Sequence, residues 1–343
     1  MDLTPHASIV VAGAGSVGGY VGGWLAAAGR DVTLLMRPSL AEAIARSGLR
    51  ISDLDGHDRT MSPASLRFTT DPAEALRSAD VVLVTVKSRD TAAMAELIAK
   101  HAPKDAVVVS LQNGVENADI LRKHLGPEWR IVDAMVPFNV VQNRKDGEPA
   151  RFHRATSGTM QIEPGVAGLR DLLDVPGARF AEHGNIDAAL WGKLLVNLNN
   201  ALNALSGLPL IEQLADRRWR LLIRRQLLEG LAVLHAAGIR PAPVEGIPPR
   251  LMAFALHLRD PLFKLAARRM LSIDRNARSS MWEDLEARRP TEIDYIQGEI
   301  VRLAAKHGAA APLNARVMEL VKAAEKAEKG SPRLSPEAVA AAQ

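Results

Sequence analysis

The stretch Ile9-Val10-Val11-Ala12-Gly13-Ala14-Gly15-Ser16-Val17-Gly18 constrains the fold more than any other. A β-branched run stops at three glycines spaced one and two residues apart, and a helix-compatible segment, VGGYVGGWLAAAG, follows at once. In a strand-turn-helix of this kind Gly13 permits the tight turn. Gly15 lets a pyrophosphate approach the backbone, and Gly18 lets the helix lie close to the strand. The free N–H groups of Ser16, Val17 and Gly18 at the helix start, with the helix dipole behind them, suit phosphate oxygens. A second strand begins within about 24 residues, as a dinucleotide-binding βαβ unit requires.

The same alternation continues to about residue 184. Strands are expected at 8–13, 31–36, 80–87, 106–112 and 131–138, with helices near 17–29, 39–46, 89–100 and 116–124. Near-continuous Val and Leu runs indicate strands buried on both faces, hence a parallel sheet covered by helices. Shorter β segments around SGTMQIEP and ARFAEH extend one edge. Beyond His183 the pattern is helical, roughly 186–206, 211–237, 247–257, 279–287, 291–306 and 313–327. The expected fold is therefore α/β: a Rossmann-type dinucleotide-binding domain, 1–184, followed by an all-helical C-terminal domain, 185–328. The Pro/Ser/Ala-rich 329–343 reads as a frayed tail.

Composition removes several function classes. With no cysteine among 343 residues, disulfides, thiolate metal sites and a cysteine nucleophile are excluded. The nine histidines show no metal-ligand spacing, so no metal is expected. A net charge of +4, spread along the chain and accompanied by few Tyr and Phe, makes a poor nucleic-acid surface. No apolar run approaches the ~20 residues of a membrane span, and the amino terminus lacks the form of a signal peptide. The expectation is a cytoplasmic protein with a small-molecule substrate and no membrane or nucleic-acid partner; a homodimer is compatible with the sequence. The basic amphipathic segment 217–238 reads as a helix packed on its leucines with arginines in water, against a membrane or partner surface as the alternative.

Where an NAD-binding fold usually carries an acid after its second strand, this chain has Arg37. A guanidinium matches a 2′-phosphate, which favours NADPH; an arginine capping the next helix is the plain alternative. Lys87, ending VVLVTVK, lies at the same sheet edge, within reach of the adenosine phosphate or ribose. Asn113, in LQNG, is either part of an ordinary turn or a contact for the nicotinamide ribose or the substrate.

In WGKLLVNLNNALNALSG the leucines fall on one helix face, while Lys193, Asn197 and Asn200 share the opposite stripe at i, i+4 and i+7. Solvated faces usually carry Glu, Lys, Gln and Arg rather than Asn. The stripe therefore suits a site where something polar binds, with a solvated face as the alternative.

Taken in order, GAGSVG, the arginine ending strand two, VTVK, LQNG, LWGKLLVN, RSSMWEDLEARRPTEIDYIQG and AAAPLNARVMELVKA resemble the ketopantoate reductase family, over about residues 8–325. The resemblance implies NADPH-dependent reduction of 2-dehydropantoate to (R)-pantoate, on a step toward pantothenate and coenzyme A, in a cleft between the two domains. It makes Lys193 the catalytic lysine, Asn197 a substrate-contacting amide, Asn113 the NG asparagine, Ser280 a substrate-binding serine and Glu292 the glutamate of TEID, a catalytic residue that binds a substrate hydroxyl or tunes Lys193 and also a cofactor contact. Read by itself, Glu292 sits where acids favour a helix dipole after a Thr291 cap. The chain departs from the family's usual asparagines at Ala201, beside Asn200, and at Ala277, beside Asn276. Those two positions bear on the substrate's distal hydroxyl, so a reductase of another branched 2-oxo acid is the alternative, with a non-catalytic NADPH-binding sensor behind it.

Overall fold

The computed structural model describes residues 3–266 and 277–341; Asn276 lies outside them. The chain divides into two compact units, Met1–Ile186 and Asp187–Gln343.

In the first unit the order is β1 Ile9–Ala12, α1 Ser16–Ala27, β2 Val32–Leu35, α2 Pro38–Ser47, β3 Leu49–Asp53, β4 Asp58–Met61, β5 Arg67–Thr69, α3 Pro72–Leu76 and β6 Val81–Val84. There follow α4 Thr91–His101, β7 Val107–Ser110, α5 Asn117–Leu125, β8 Arg130–Met135, β9 Val140–Asn143, β10 Ala150–Arg154, β11 Met160–Ile162, α6 Leu169–Leu173 and β12 Phe180–Glu182. Eight strands form one sheet in the order β12-β11-β8-β7-β6-β1-β2-β5, parallel except where β11 meets β8. Chain direction leaves β1 toward β2 on one side and returns to β6 on the other, so the loops after β1, β2, β6 and β7 share one edge, at the switch point. Alternate residues serve opposite faces. Ile9, Val11, Val81 and Leu83 enter one core cluster, and Val10, Ala12, Val82 and Val84 enter the other. That double burial is why these strands read as unbroken apolar runs.

A second sheet, β4-β3-β10-β9, is absent from the sequence reading. It lies on the other side of α1 from the main sheet, and the glycines of α1 show how. A Cβ at Gly18 or Gly22 would stand 2.9 Å from Val11 of the main sheet, with Thr85 or Leu34 closer still. A Cβ at Gly19 would stand 2.4 Å from the Phe152 ring, and one at Gly23 2.8 Å from Ile51. Two glycine stripes one residue apart thus let a single helix pass between two sheets. Arg154, at the end of β10, ties this layer down: it donates to Tyr20 Oη at 3.1 Å, to Asp53 at 3.2 Å and to Asp55, while Tyr20 Oη donates to the Gly177 carbonyl at 2.7 Å.

The second unit contains α7 Ile186–Asn197 (its first residue the last of the preceding unit), α8 Asn199–Ser206, α9 Leu210–Ala215, α10 Arg217–Ala236, α11 Pro249–His257, α12 Asp260–Ala266, α13 Ser280–Glu286, α14 Ile293–Lys306, α15 Pro312–Ala327 and α16 Pro336–Ala340. The segment expected as one helix over 186–206 is interrupted at Leu198, whose carbonyl accepts the Gln297 side-chain amide at 2.7 Å. The helix expected over 211–237 breaks at Asp216, which caps α10 by accepting from Arg218 N–H at 2.8 Å. The arginines of α10 are not all in water. Arg220 is fully buried, bonded to the carbonyls of Leu214, Ala215 and Leu258 and stacked on the Phe263 ring at 4.2 Å. The expected frayed tail is docked: Leu334 N–H and Ser331 Oγ bond to the carbonyls of Leu205 and Ala204 at 2.8 and 2.7 Å, and α16 buries Val339 completely. Among the described residues no helix is long and apolar enough to cross a membrane.

Candidate active site

The glycine loop packs tightly at one glycine and leaves open space at another. Gly13 has a φ of +96°, and a Cβ there would meet Val86 at 2.4 Å. Gly15 is different: a Cβ would find only the Gly13 carbonyl, at 3.8 Å, so the space beside it is open. The amides of Gly13 and Ala14 are engaged by the Leu35 carbonyl. Those of Ser16, Val17 and Gly18 open α1, where no side chain caps the helix and its first turn holds no acid. A phosphate group fits this position, and the loop has no carboxylate of its own to repel it.

Arg37 stands at the cap of α2, directly after β2, with its side chain 75% exposed and 3.8 Å from Asp90. So distant and exposed a pair holds the guanidinium weakly. Lys87 is half-buried just before a short 3-10 turn, Ser88–Asp90.

Asn113 is held by its backbone. Its carbonyl accepts Ser88 Oγ at 2.8 Å and Asn117 Nδ2 at 2.6 Å; Asn117 also accepts from Thr91 Oγ1 at 2.9 Å, and Gln112 Nε2 bridges Thr91 Oγ1 at 2.7 Å and the Val86 carbonyl at 3.0 Å. All four supporting side chains are buried. The loops after β6 and β7 are thereby locked together, and sequence reasoning missed Ser88, Thr91, Gln112 and Asn117. Their signal lay in the polar residues flanking each turn, KSRDT and LQNGVEN.

In the second unit Lys193 and Asn197 lie one turn apart on α7 and are both buried, 9% and 5% exposed. The solvated-face alternative is therefore ruled out for these two. Burial pulls the Lys193 ammonium down to about 8, against an opposing pull from the Glu245 carboxylate. The remaining asparagines separate by role. Asn203 is fully buried, donating to the Leu208 carbonyl and to Gln213 and accepting from Ser279 N–H at 2.8 Å. Asn199 reaches Gln213, and half-buried Asn200 uses its carbonyl to accept Ser279 Oγ at 2.8 Å.

Ser279 caps α13, accepting from Trp282 N–H at 3.2 Å, which leaves half-buried Ser280 as the first helical residue. Glu292 is half-buried at the head of α14, where Thr291 Oγ1 accepts Ile293 N–H at 3.2 Å. Ala201 is fully buried and contributes no polar group; the Ala277 carbonyl bonds Leu210 N–H at 2.9 Å.

Two other features compete for attention. Asp53, Asp55 and His57 form a cluster of metal-ligand types among the described residues, but Arg154 occupies both aspartates. An open hollow of about 720 Å³ beside the docked tail is lined by Arg218, Arg278 and Arg333. Arg218 there is paired with Asp216 and Glu337, and Arg278 stacks on Trp282 at 4.6 Å, so its cations are engaged by the protein itself, and Lys193 is not among the lining residues.

The comparisons with known proteins agree over both units. Residues 9–166 match the family described as "Ketopantoate reductase PanE/ApbA", and residues 185–325 match its C-terminal counterpart. The chain belongs to the ketopantoate reductase family. It is 29% identical over 330 residues to a 2-dehydropantoate 2-reductase of Halobacterium salinarum, covering 93% of this chain and 99% of that protein. A crystal structure of a family ketopantoate reductase from Ralstonia eutropha JMP134 superposes with a TM-score of 0.77 at 31% identity, over 94% of this chain and 99% of that one. A 2-dehydropantoate 2-reductase from Geobacter metallireducens GS-15 gives 0.75 at 28% identity, over 92% and 99%. Ketopantoate reductases are NADP-dependent oxidoreductases, and this chain is an enzyme of that type.

Proposed function

We propose that this ketopantoate reductase reduces 2-dehydropantoate to (R)-pantoate with NADPH, in the cytoplasm, on the route toward pantothenate and coenzyme A. The observation that carries the reading is Lys193, a buried ammonium brought to about 8 one turn from a buried amide. A ketone reduction needs a hydride, a proton for the forming alkoxide and a grip on the substrate carboxylate.

NADPH supplies the hydride when bound. The glycine loop with Ser16, Val17 and Gly18 holds its pyrophosphate, and Arg37 and Lys87 hold the adenosine end. Asn113, with its backbone fixed by the Ser88 and Asn117 bonds, serves the nicotinamide ribose or the substrate. Lys193 stabilises the developing oxyanion and donates the proton, a task for which a pKa near the working pH is best suited. Asn197 orients the lysine or a substrate hydroxyl, while Asn200 and Ser280 offer substrate contacts. Ser280, as first residue of α13, can add a hydroxyl to the helix N–H groups facing a carboxylate. Glu292 takes a substrate or ribose hydroxyl.

Arg37→Ala is expected to lower the NADPH-to-NADH ratio of kcat/KM by about tenfold to a hundredfold, the scale of one or two charge-assisted hydrogen bonds. An unchanged ratio would remove the arginine from 2′-phosphate recognition.

The buried alanine at 201 favours a second reading, a reductase of another branched 2-oxo acid. NADPH oxidation with 2-dehydropantoate against a panel of branched 2-oxo acids separates the two. The proposal expects the highest kcat/KM for 2-dehydropantoate; a tenfold preference for an analogue without its distal hydroxyl decides for the alternative, and no turnover of any acid would leave a nucleotide sensor.

A further inference from the structure

The segment between α10 and α11 crosses α7 at the residue before Lys193. Ala242 N–H donates to the Ala188 carbonyl at 2.7 Å, and a Cβ on Gly192 would stand 2.3 Å from the Ala242 carbonyl oxygen. Gly192 is thus the position that lets backbone lie on backbone. Immediately after the crossing, Val244 and Ile247 bond each other's backbones at 3.2 and 3.0 Å around a two-residue turn. Both turn residues are left-handed, Glu245 at φ +50° and Gly246 at +77°. Such turns normally take Asn, Asp or Gly at the first position, so a glutamate there is held at a conformational cost. Its carboxylate lies close enough for its field to act on Lys193.

We propose that Glu245 is a positioning residue for Lys193: its carboxylate, carried across α7 on this turn, holds the lysine protonated and in place between turnovers. The inference rests on Lys193 being the proton donor. Other charged groups on the surrounding elements include Asp187 on α7, Arg240 on the crossing segment, Glu229 among the arginines of α10, and Glu292, Asp294, Glu299, Arg302 and Lys306 at or on α14. Glu229 accepts the backbone N–H groups of Leu313 and Asn314, and Glu299 pairs with Arg302. All of them stay unchanged in the variants below.

Glu245→Gln and Glu245→Asp separate charge from shape, since aspartate tolerates the left-handed backbone at least as well. Competitive trace acetylation followed by peptide mass spectrometry reads the titration of Lys193 itself, without turnover. In Glu245→Gln the midpoint is expected to fall by about half a pH unit, an exposed carboxylate being partly screened by water and salt. Glu245→Asp restores it, and the basic limb of kcat moves with it while KM for the oxo acid changes little. A midpoint that is the same in wild type and Glu245→Gln overturns the proposal. A midpoint that falls while the kcat limb stays fixed supports the Glu245 assignment and removes Lys193 as the acid.

Discussion

Lys193→Met is expected to lower kcat by about 10²- to 10⁴-fold, the usual worth of a positioned general acid, with NADPH affinity unchanged. The same variant should be the more stable protein at neutral pH. A lysine taken from its ordinary 10.5 to about 8 on folding binds its proton more weakly in the folded state. Below about pH 8 the buried ammonium therefore opposes folding, by about 3 kcal/mol at 1.36 kcal/mol per pH unit. Methionine keeps the stem's apolar packing and discards the charge. The gain in denaturant midpoint should be largest below pH 8, shrink as pH rises toward 10.5 and vanish only above it, where the wild-type side chain is neutral folded and unfolded alike. Stopped-flow turnover and urea unfolding across pH 6–10 test both halves. Near-normal kcat would end the role of Lys193, and a loss of stability would mean that the interactions of its ammonium outweigh the cost of burying it.

The largest purely structural loss is expected from Arg154→Met. Asp53 is completely buried at its side chain, and burial would push its carboxyl up. The backbone and ring of His57 together with Arg154 outweigh that and hold it below the usual carboxylate range. Deleting the guanidinium leaves a buried carboxylate facing Tyr20, whose own hydroxyl is already pushed up to about 12, mainly by burial. Breaking such a pair from one side costs about 3–5 kcal/mol. Asp53→Asn combined with Arg154→Met should recover much of it, because the uncompensated charge is gone. In the wild type the Asp53 contribution is present above the ordinary carboxylate pKa and is lost as pH falls through its lower folded value, so the single variant should also show a weaker acid dependence. Equal stability of single and double variants would show that the loss is one of packing instead.

The main sheet was legible because burial on both faces leaves a continuous apolar signature, and the glycine loop because its spacing is dictated by a turn, a phosphate and a helix. The second sheet was not. Its strands, LRISD, DRTM, VVQN and ARFHR, are short and mixed in polarity, and β3 pairs with β10 about a hundred residues away. The doubled glycines of α1 did carry the information: a helix lying on one sheet needs small residues on one stripe, whereas this one has them on two. Lys193 and Asn197 were legible from a stripe of the wrong polar residues for solvent. The interruption at Leu198 was not, since that residue keeps helical dihedrals and is set apart where its carbonyl accepts a Gln297 amide from another helix, and Glu245 was hidden because its importance lies in where Ala242 crosses Gly192.

The sandwiching of α1 sets an order of events during synthesis. Every glycine of the loop after β1 has left the ribosome long before Phe152, and although Leu49 and Ile51 of β3 already meet α1 at Gly23, the surface over Gly19 is complete only when β10 arrives and pairs with β3. A nascent chain of 110 residues carries the whole glycine fingerprint but lacks the Phe152 ring that meets Gly19. Long-range parallel pairing is slow to form, so the far wall of the helix that opens at the glycine loop is completed late, by a pairing that spans about a hundred residues.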